Sequence, residues 1–382
     1  MSVLLPRLYK TLTRPALTGS LLIISALAGI FCASSSFSTF YHACLIAVPI
    51  PSLPLSLEGW ISQGVMTLFF TALALDIRQD MRPGGPLSRR REATLPLIGA
   101  LGGMLAPALI AFLCGSLIPS RPLLSGWAVP TATDAAFTVP MLALIPGLPA
   151  SLRSFILALA IFDDLGAILI LALFYGHTPH MLWLGLSAAP FLGLFTLSWI
   201  GKSALWLSLP LTLFLWFTLF HAGVEPTLAG VVFGLCCPPQ TGLRLAHMLA
   251  IPVGLVVLPL FALSSTGIDL RLCTASVLLS APFLGAALGL WLGKPLGISG
   301  AVWLATRNKA ARPTLRGRAL IGLSMICGIG FTMSLLITSL AYHNPTALME
   351  GRCGVLVGSC LSALTGWAVL RNAFPPAAKT SS

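Results

Sequence analysis

Long apolar stretches recur along almost the whole chain and are separated by short polar breaks. Each stretch is close to the roughly 20 residues that a helix needs to cross the hydrocarbon core of a bilayer. Only 8% of the residues are charged, against about 25% in a soluble domain, and no polar stretch is long enough to bury a core of its own. The sequence therefore predicts an all-α polytopic membrane protein with a single transmembrane domain over residues 1–382.

We place about twelve membrane helices on these stretches. The predicted segments are 16–33, 60–77, 95–115, 125–145, 152–175, 181–200, 203–220, 222–237, 251–267, 278–304, 319–341 and 353–371. An even number of segments puts the short N-terminal and C-terminal tails on the same side of the membrane.

The 22 basic residues indicate which side that is. With a cytoplasmic N-terminus, almost all of them fall in cytoplasmic regions, only Arg121, Arg271 and Arg352 fall outside, and Lys294 falls within a segment. This bias follows the positive-inside rule and predicts that both tails are cytoplasmic. The net charge of +12 is thereby explained without a nucleic-acid partner, because the basic residues lie in separated loops.

Two segments contain residues that interrupt a helix. Segment 4 contains Pro130 and Thr131-Ala132-Thr133-Asp134, and segment 11 contains Gly328 and Gly330. Lipid tolerates an interrupted backbone only where the freed groups line a cavity or bind a ligand. Each break lies in the middle of a three-helix set, segments 3 to 5 and segments 10 to 12, and the two sets have opposite predicted directions. We therefore expect an inverted repeat of the kind found in secondary transporters.

Charged residues at membrane depth are the strongest functional signal. Asp163 and Asp164 are adjacent in segment 5, Asp134 lies at the break in segment 4, and Lys294 lies in segment 10. A charge in hydrocarbon costs at least a few kcal/mol, so such residues are functional candidates by default. Adjacent residues on a helix point about 100° apart, so one aspartate can face Lys294 while the other faces a cavity.

Three acids against one base leave surplus negative charge, and two interpretations follow. The acids and Lys294 could form a static neutralising cluster, or Asp163 and Asp164 could bind a metal cation transiently. Carboxylate, hydroxyl and carbonyl oxygens are the ligands of hard cations, and Thr133 could add a hydroxyl oxygen. Low-dielectric surroundings also favour protonation of carboxyl groups in general. A site that holds either protons or a cation exchanges one for the other.

The sequence resembles the NhaA-type bacterial Na⁺/H⁺ antiporters in five blocks that occur in the family's order. The blocks are Ala132-Thr133-Asp134, residues 157–167 around Asp163 and Asp164, Thr227-Leu228-Ala229-Gly230, Gly293-Lys294-Pro295-Leu296-Gly297, and residues 327–334 around Gly328 and Gly330. Together they span the membrane region from about segment 2 to segment 11.

This resemblance implies twelve helices, crossed broken segments 4 and 11, and no cofactor. It implies electrogenic exchange of one Na⁺ or Li⁺ for two protons in the bacterial inner membrane, in the service of pH and sodium homeostasis. Asp164 is then the principal ion and proton carboxylate, with Asp163 beside it. Lys294 is the partner of Asp163, and Asp134 compensates the helix ends at the crossing. The second proton belongs to either Asp163 or Lys294.

At several positions the chain departs from the family pattern. The departures are Gln63 for a usual Asp, Glu225 for a usual His, Ala246 for a usual Glu beside His247, and Asp76 and Asp80 for longer Glu residues. Several of these positions belong to the pH response in the family. We therefore expect an intact exchange core and an altered pH profile. Residues 34–59, which carry a dimer-forming hairpin in the family, match poorly, so a homodimer is an expectation only.

Other classes of protein fit less well. An intramembrane aspartyl protease takes its two aspartates from separate helices, one of them in a Gly-x-Gly-Asp setting. A polyprenyl synthase needs a further carboxylate where this chain has Ile168. A passive channel calls for charged rings or carbonyl filter loops. A carrier with a different cation selectivity remains open, and the nine cysteines show no paired metal-ligand spacing.

Overall fold

The computed structural model describes residues 15–51, 53–82, 90–118, 124–145, 147–176, 180–200, 205–269, 271, 273–307 and 317–374. The helices in these residues are α1 Pro15–Ser34, α2 Ser38–Ile46, α3 Leu57–Asp80, α4 Arg90–Leu117, a 3-10 helix Leu124–Thr131, α5 Ala135–Ala143, α6 Ala150–Phe174, α7 Met181–Ile200, α8 Leu205–Ala222, α9 Leu228–Cys236, α10 Pro239–Ser265, α11 Ala275–Leu278, α12 Ala281–Thr306, α13 Arg318–Ile326, α14 Phe331–Ala341 and α15 Pro345–Ala373. The described residues contain no strand, so the predicted all-helical class is confirmed.

Nine of the helices in the described residues are long and apolar enough to cross a membrane, and ten spans result if α13 and α14 count as one bent span. The polytopic character predicted from the apolar stretches is thereby confirmed. Each of the twelve predicted segments contains helix, but α5 and α9 have nine residues each, well short of the roughly 20 that cross a bilayer. The number twelve therefore stays a prediction.

Three helix starts differ clearly from the predicted segments, and the simplest case is segment 12, whose helix begins at Pro345, eight residues before the predicted residue 353. The helix of segment 8 begins at Leu228, not near residue 222, because Gly223 has a positive φ of 75° and Pro226 lacks a backbone N–H. The helix of segment 9 begins at Pro239, well before residue 251. Its first turns carry Arg244 and His247, so their polarity hid them from a search for apolar stretches.

The chain is divided into two compact units. The first comprises Met1–Ser88 and Ile168–Gly267. Its core includes Leu194, Leu215, Leu219 and Phe233, contributed by α7, α8 and α9. Apolar side chains on three helices thus meet without enclosing a charged group in this cluster.

The second unit comprises Arg89–Ala167 and Ile268–Ser382. It contains both three-helix sets that the sequence singles out, apart from the last residues of α6. Within it α4 packs against α12 at Gly102 and Gly297, where a Cβ on either residue would collide with the backbone carbonyl of the other. Small residues at such a contact let two helix backbones approach closely, and this brings the helix that carries Lys294 against α4.

Breaks occur in this unit at the two predicted places. The 3-10 helix ends at Thr131, and α5 begins at Ala135 after three residues without helix. Helices α13 and α14 are separated at residues 327–330 and bent by 51°. Each break frees backbone groups from the helical ladder, so those groups need other partners.

Candidate functional site

Lys294 and Asp163 form a fully buried ion pair in the second unit. The Lys294 Nζ lies 2.5 Å from the Asp163 Oδ2 and also donates to the carbonyl oxygen of Thr131 at 2.6 Å. A π-helical turn, Gly289–Gly293, directly precedes Lys294 in α12, and such turns are frequent at functional sites. The buried ammonium group therefore has its counter-charge on α6 and a carbonyl partner at the break before α5.

Asp134 connects the two broken segments. It is the N-cap of α5, and its Oδ1 accepts a hydrogen bond from the Ala136 N–H at 2.9 Å. Its Oδ2 accepts hydrogen bonds from the N–H of Thr332 at 2.8 Å and from the Thr332 hydroxyl at 2.6 Å. Thr332 is the second residue of α14. One carboxylate thus binds the positive N-terminal ends of two helices.

Further hydrogen bonds hold the two breaks together. The Asp134 N–H donates to the carbonyl oxygen of Ile329 at 2.7 Å, and the Thr133 hydroxyl donates to the carbonyl oxygen of Cys327 at 2.7 Å. At Gly330 a Cβ would collide with the Ser334 hydroxyl and lie 3.1 Å from the Ala132 carbonyl oxygen. A side chain at residue 330 would therefore have to displace Ser334 and would crowd the Ala132 carbonyl. At Gly328 a Cβ would collide with the backbone carbonyl oxygen of Leu290 in α12, so glycine is required at that position.

Asp164 differs from the other two buried aspartates. It is 3% exposed, and it has no hydrogen bond or ion pair with any residue that the structure describes. Asp163, Asp134 and Lys294 are the charged groups near it. The second oxygen of Asp163, Oδ1, is also buried without a hydrogen-bond partner. Among the described residues, three carboxylate oxygens of the site therefore have no partner, both oxygens of Asp164 and one of Asp163, and carboxylate oxygens are ligands of hard cations.

The predicted pH-response residues lie in the first unit. Asp76 and Asp80 are on α3, and His247 on α10 lies close enough to Asp76 for an electrostatic interaction. Glu225 is buried between α8 and α9, where it accepts a hydrogen bond from the Thr227 hydroxyl at 3.0 Å. Within the described residues, no group of three or more His, Cys, Asp or Glu side chains forms a metal-binding cluster. Asp76, Asp80 and Glu225 therefore lie in a different compact unit from Lys294 and the aspartates around it.

Thr332 was not identified from the sequence as a site residue, nor were the two backbone carbonyls that bind Lys294 and Thr133. Thr332 makes two of the four hydrogen bonds described above at Asp134 and Thr133 that join α5 to the other break. Its position just after Gly330, inside a block that carries the family resemblance, was the available signal. The carbonyls of Thr131 and Cys327 had no signal, because any residue supplies a carbonyl and only the fold selects which one is used.

Comparison with known proteins agrees with this geometry. Residues 9–370 match the family model described as Na⁺/H⁺ antiporter 1. The chain is 39% identical to the Na(+)/H(+) antiporter NhaA of Yersinia enterocolitica, in an alignment that covers 95% of this chain and 96% of the relative. It is 38% identical to the protein of that name from Serratia proteamaculans, over 95% and 97% of the two chains. It is 39% identical to the one from Gluconacetobacter diazotrophicus, over 95% and 96%. The chain therefore belongs to the Na⁺/H⁺ antiporter 1 family, a family of secondary transporters and not of enzymes.

Proposed function

We propose that this chain is an electrogenic antiporter that exchanges cytoplasmic Na⁺ or Li⁺ for external protons, with Asp164 as the principal binding group. The observation that carries the proposal is the surroundings of Asp164. This carboxyl group is buried beside an ion pair that already neutralises Asp163, and it has no partner of its own among the described residues. The family membership supports the same ions.

A buried carboxylate without a partner needs a neutralising charge. A proton supplies it in one form of Asp164 and a Na⁺ ion supplies it in the other, so the two ions compete for one group. The unpartnered Oδ1 of Asp163 gives Na⁺ a second oxygen ligand, and Thr133 could give a third. When Na⁺ binds the Asp163 carboxylate, the ion pair between Asp163 and Lys294 weakens. Either Asp163 or Lys294 can then account for the second proton.

In this proposal the conformational change takes place at the two helix breaks. Twelve membrane helices in two inverted sets would place the broken segments across one another, with Asp134 neutralising the positive N-terminal ends of α5 and α14. Because hydrogen bonds and not a continuous helix join the breaks, they can rearrange as Asp164 is exposed to alternate sides of the membrane. Both cytoplasmic tails, the bacterial inner membrane and a homodimer remain predictions of the sequence.

A static neutralising cluster is the main alternative for the site. It accounts for Asp163, which Lys294 neutralises, and for Asp134, which two helix ends stabilise. It does not account for Asp164, because a static arrangement leaves that group without a counter-charge. An altered cation selectivity is a separate alternative and is decided by comparing Na⁺, Li⁺ and K⁺ in one assay.

The test is an assay of ΔpH by fluorescence in proteoliposomes that contain the intact protein or the Asp164→Asn variant. Addition of Na⁺ is expected to dissipate ΔpH in the intact protein and to have no effect in the variant, because the amide cannot exchange a proton for a cation. Asp269→Asn is the matched control, since this carboxylate lies in the loop after α10. Near-normal exchange by Asp164→Asn, in protein with an unchanged unfolding temperature, contradicts the site assignment.

A further inference from the structure

Two cysteine thiols meet in the second unit, away from the group around Lys294. Cys273 lies in the loop between α10 and α12, and Cys353 lies in the third turn of α15, 80 residues later in the chain. Their sulfur atoms are 3.3 Å apart. A disulfide has an S–S distance of about 2.05 Å, so the two sulfur atoms would have to move about 1.3 Å closer to be bonded.

The two cysteines differ in solvent exposure. Cys353 is buried, whereas Cys273 is partly exposed and is followed by the exposed residues Thr274, Ala275 and Ser276. Both thiols contact one apolar cluster, which consists of Ile268, Val277, Phe283 and Ala287 together with Cys353 itself. An external reagent can therefore reach Cys273 first, and the cluster holds Cys353 in position behind it.

We propose that Cys273 and Cys353 form an intramolecular disulfide on the extracytoplasmic side of the membrane. The predicted orientation places the loop before α12 and the beginning of α15 outside, where Arg271 and Arg352 are among the few external basic residues. The compartment outside the bacterial inner membrane is oxidising and allows disulfides to persist. The inference rests on the proposed orientation of the chain and not on the exchange reaction.

The oxidant required is a disulfide donor, such as an oxidised thiol–disulfide oxidoreductase or oxidised glutathione. The thiolate of Cys273 attacks one sulfur of the donor disulfide, and the first donor thiol leaves. The thiolate of Cys353 then attacks the Cys273 sulfur in the mixed disulfide, and the second donor thiol leaves. The protein loses two thiol protons and two electrons, and the donor disulfide gains them as two thiols.

The bond would fasten the loop after α10 to the final helix. A link between residues so distant in the chain restricts the unfolded ensemble more than the folded state, and it thereby stabilises the fold. In the folded protein it would fix the apolar cluster against α15. We therefore expect reduction of the bond to lower the temperature of unfolding by a few degrees without acting on the residues around Lys294.

The test uses the full chain in its native membrane, with free thiols alkylated by N-ethylmaleimide at the moment of lysis. Peptide mass spectrometry without reductant is expected to find Cys273 and Cys353 in one linked peptide pair. The pair should be absent in Cys273→Ser and in Cys353→Ser, and each variant should show one newly alkylated cysteine. Cys360→Ser, two turns further along α15, is the matched control and should keep the linked pair.

Quantitative alkylation of both thiols at lysis overturns the proposal, whether or not oxidised glutathione joins them afterwards. A link from either residue to a different cysteine overturns it as well. Thermal unfolding gives an independent check, because a reductant should lower the unfolding temperature of the intact protein and leave that of Cys273→Ser unchanged. Equal shifts in the two proteins would contradict the assignment.

Discussion

Buried carboxylates occur in both compact units, but the sequence separation between each carboxylate and its partner differs between the units. In the first unit Glu225 is bonded to Thr227, two residues away. In the second unit Asp163 pairs with Lys294 across 131 residues, and Asp134 bonds to Thr332 across 198 residues. A partner two residues away stays with its carboxylate when helices move, whereas a distant partner can be lost. The second unit thus has buried charges whose neutralisation depends on how its helices are arranged, which is what an ion-exchange site requires.

The largest expected effect tests this dependence at Lys294. Lys294→Met leaves Asp163 buried without a counter-charge, which costs about 3–5 kcal/mol. The double variant Lys294→Met/Asp163→Asn removes both charges and should regain most of the lost stability. The free energy of unfolding, measured by SDS titration in mixed micelles, checks both expectations. A single variant as stable as the intact protein would show that the pair is not needed for neutralisation.

A smaller effect is expected at the connection between the two breaks. Thr332→Val removes the hydroxyl donor to Asp134 and leaves the N–H donors of Thr332 and Ala136 in place. Loss of one hydrogen bond to a charged group costs about 1.5–3 kcal/mol, and we expect the rate of Na⁺-dependent ΔpH dissipation to fall as well.

Thr338→Val in α14 is the matched control, because the Thr338 hydroxyl donates to the Ser334 carbonyl of its own helix and should be replaceable at little cost. Similar losses of stability in the two variants would contradict a special role for the bond between Thr332 and Asp134. The same assays of unfolding and of ΔpH serve for both proteins.

The smallest expected effect concerns the first unit. Glu225→Gln keeps an oxygen that can accept from Thr227 and removes only the titratable group. We expect the free energy of unfolding to change by less than about 1 kcal/mol and maximal exchange to persist. The pH of half-maximal exchange should shift, because a carboxyl group can gain and lose a proton and an amide cannot.

Glu225→His tests the same position by introducing the residue type that is usual there in the family. The measurement is the rate of Na⁺-dependent ΔpH dissipation between pH 6 and pH 9. A pH profile that is unchanged in both variants would remove Glu225 from the pH response. Abolished exchange in Glu225→Gln would instead place it in the exchange machinery and break the distinction between the two units.

Several features were predictable from the sequence because they depend on neighbouring residues. Apolar stretches gave the helical class, Pro130 and the Gly328/Gly330 pair marked the two breaks, and Asp163 and Asp164 stood out inside an apolar segment. Helix ends were less predictable. The start of α10 at Pro239 is polar enough to resemble a loop, and the start of α9 is delayed by a glycine turn and Pro226.

Membrane helices, charged groups within them and two interrupted segments all follow from the amino-acid sequence of this chain alone. These properties follow from the cost of placing charge and unpaired backbone in hydrocarbon. The pairing of Lys294 with Asp163 was implied by the family resemblance, whereas the hydrogen bonds from Thr332 to Asp134 and the contact between Cys273 and Cys353 emerged from the packing of the helices. Each of these contacts joins residues far apart in the chain, so helix packing, and not local pattern, selects the partner.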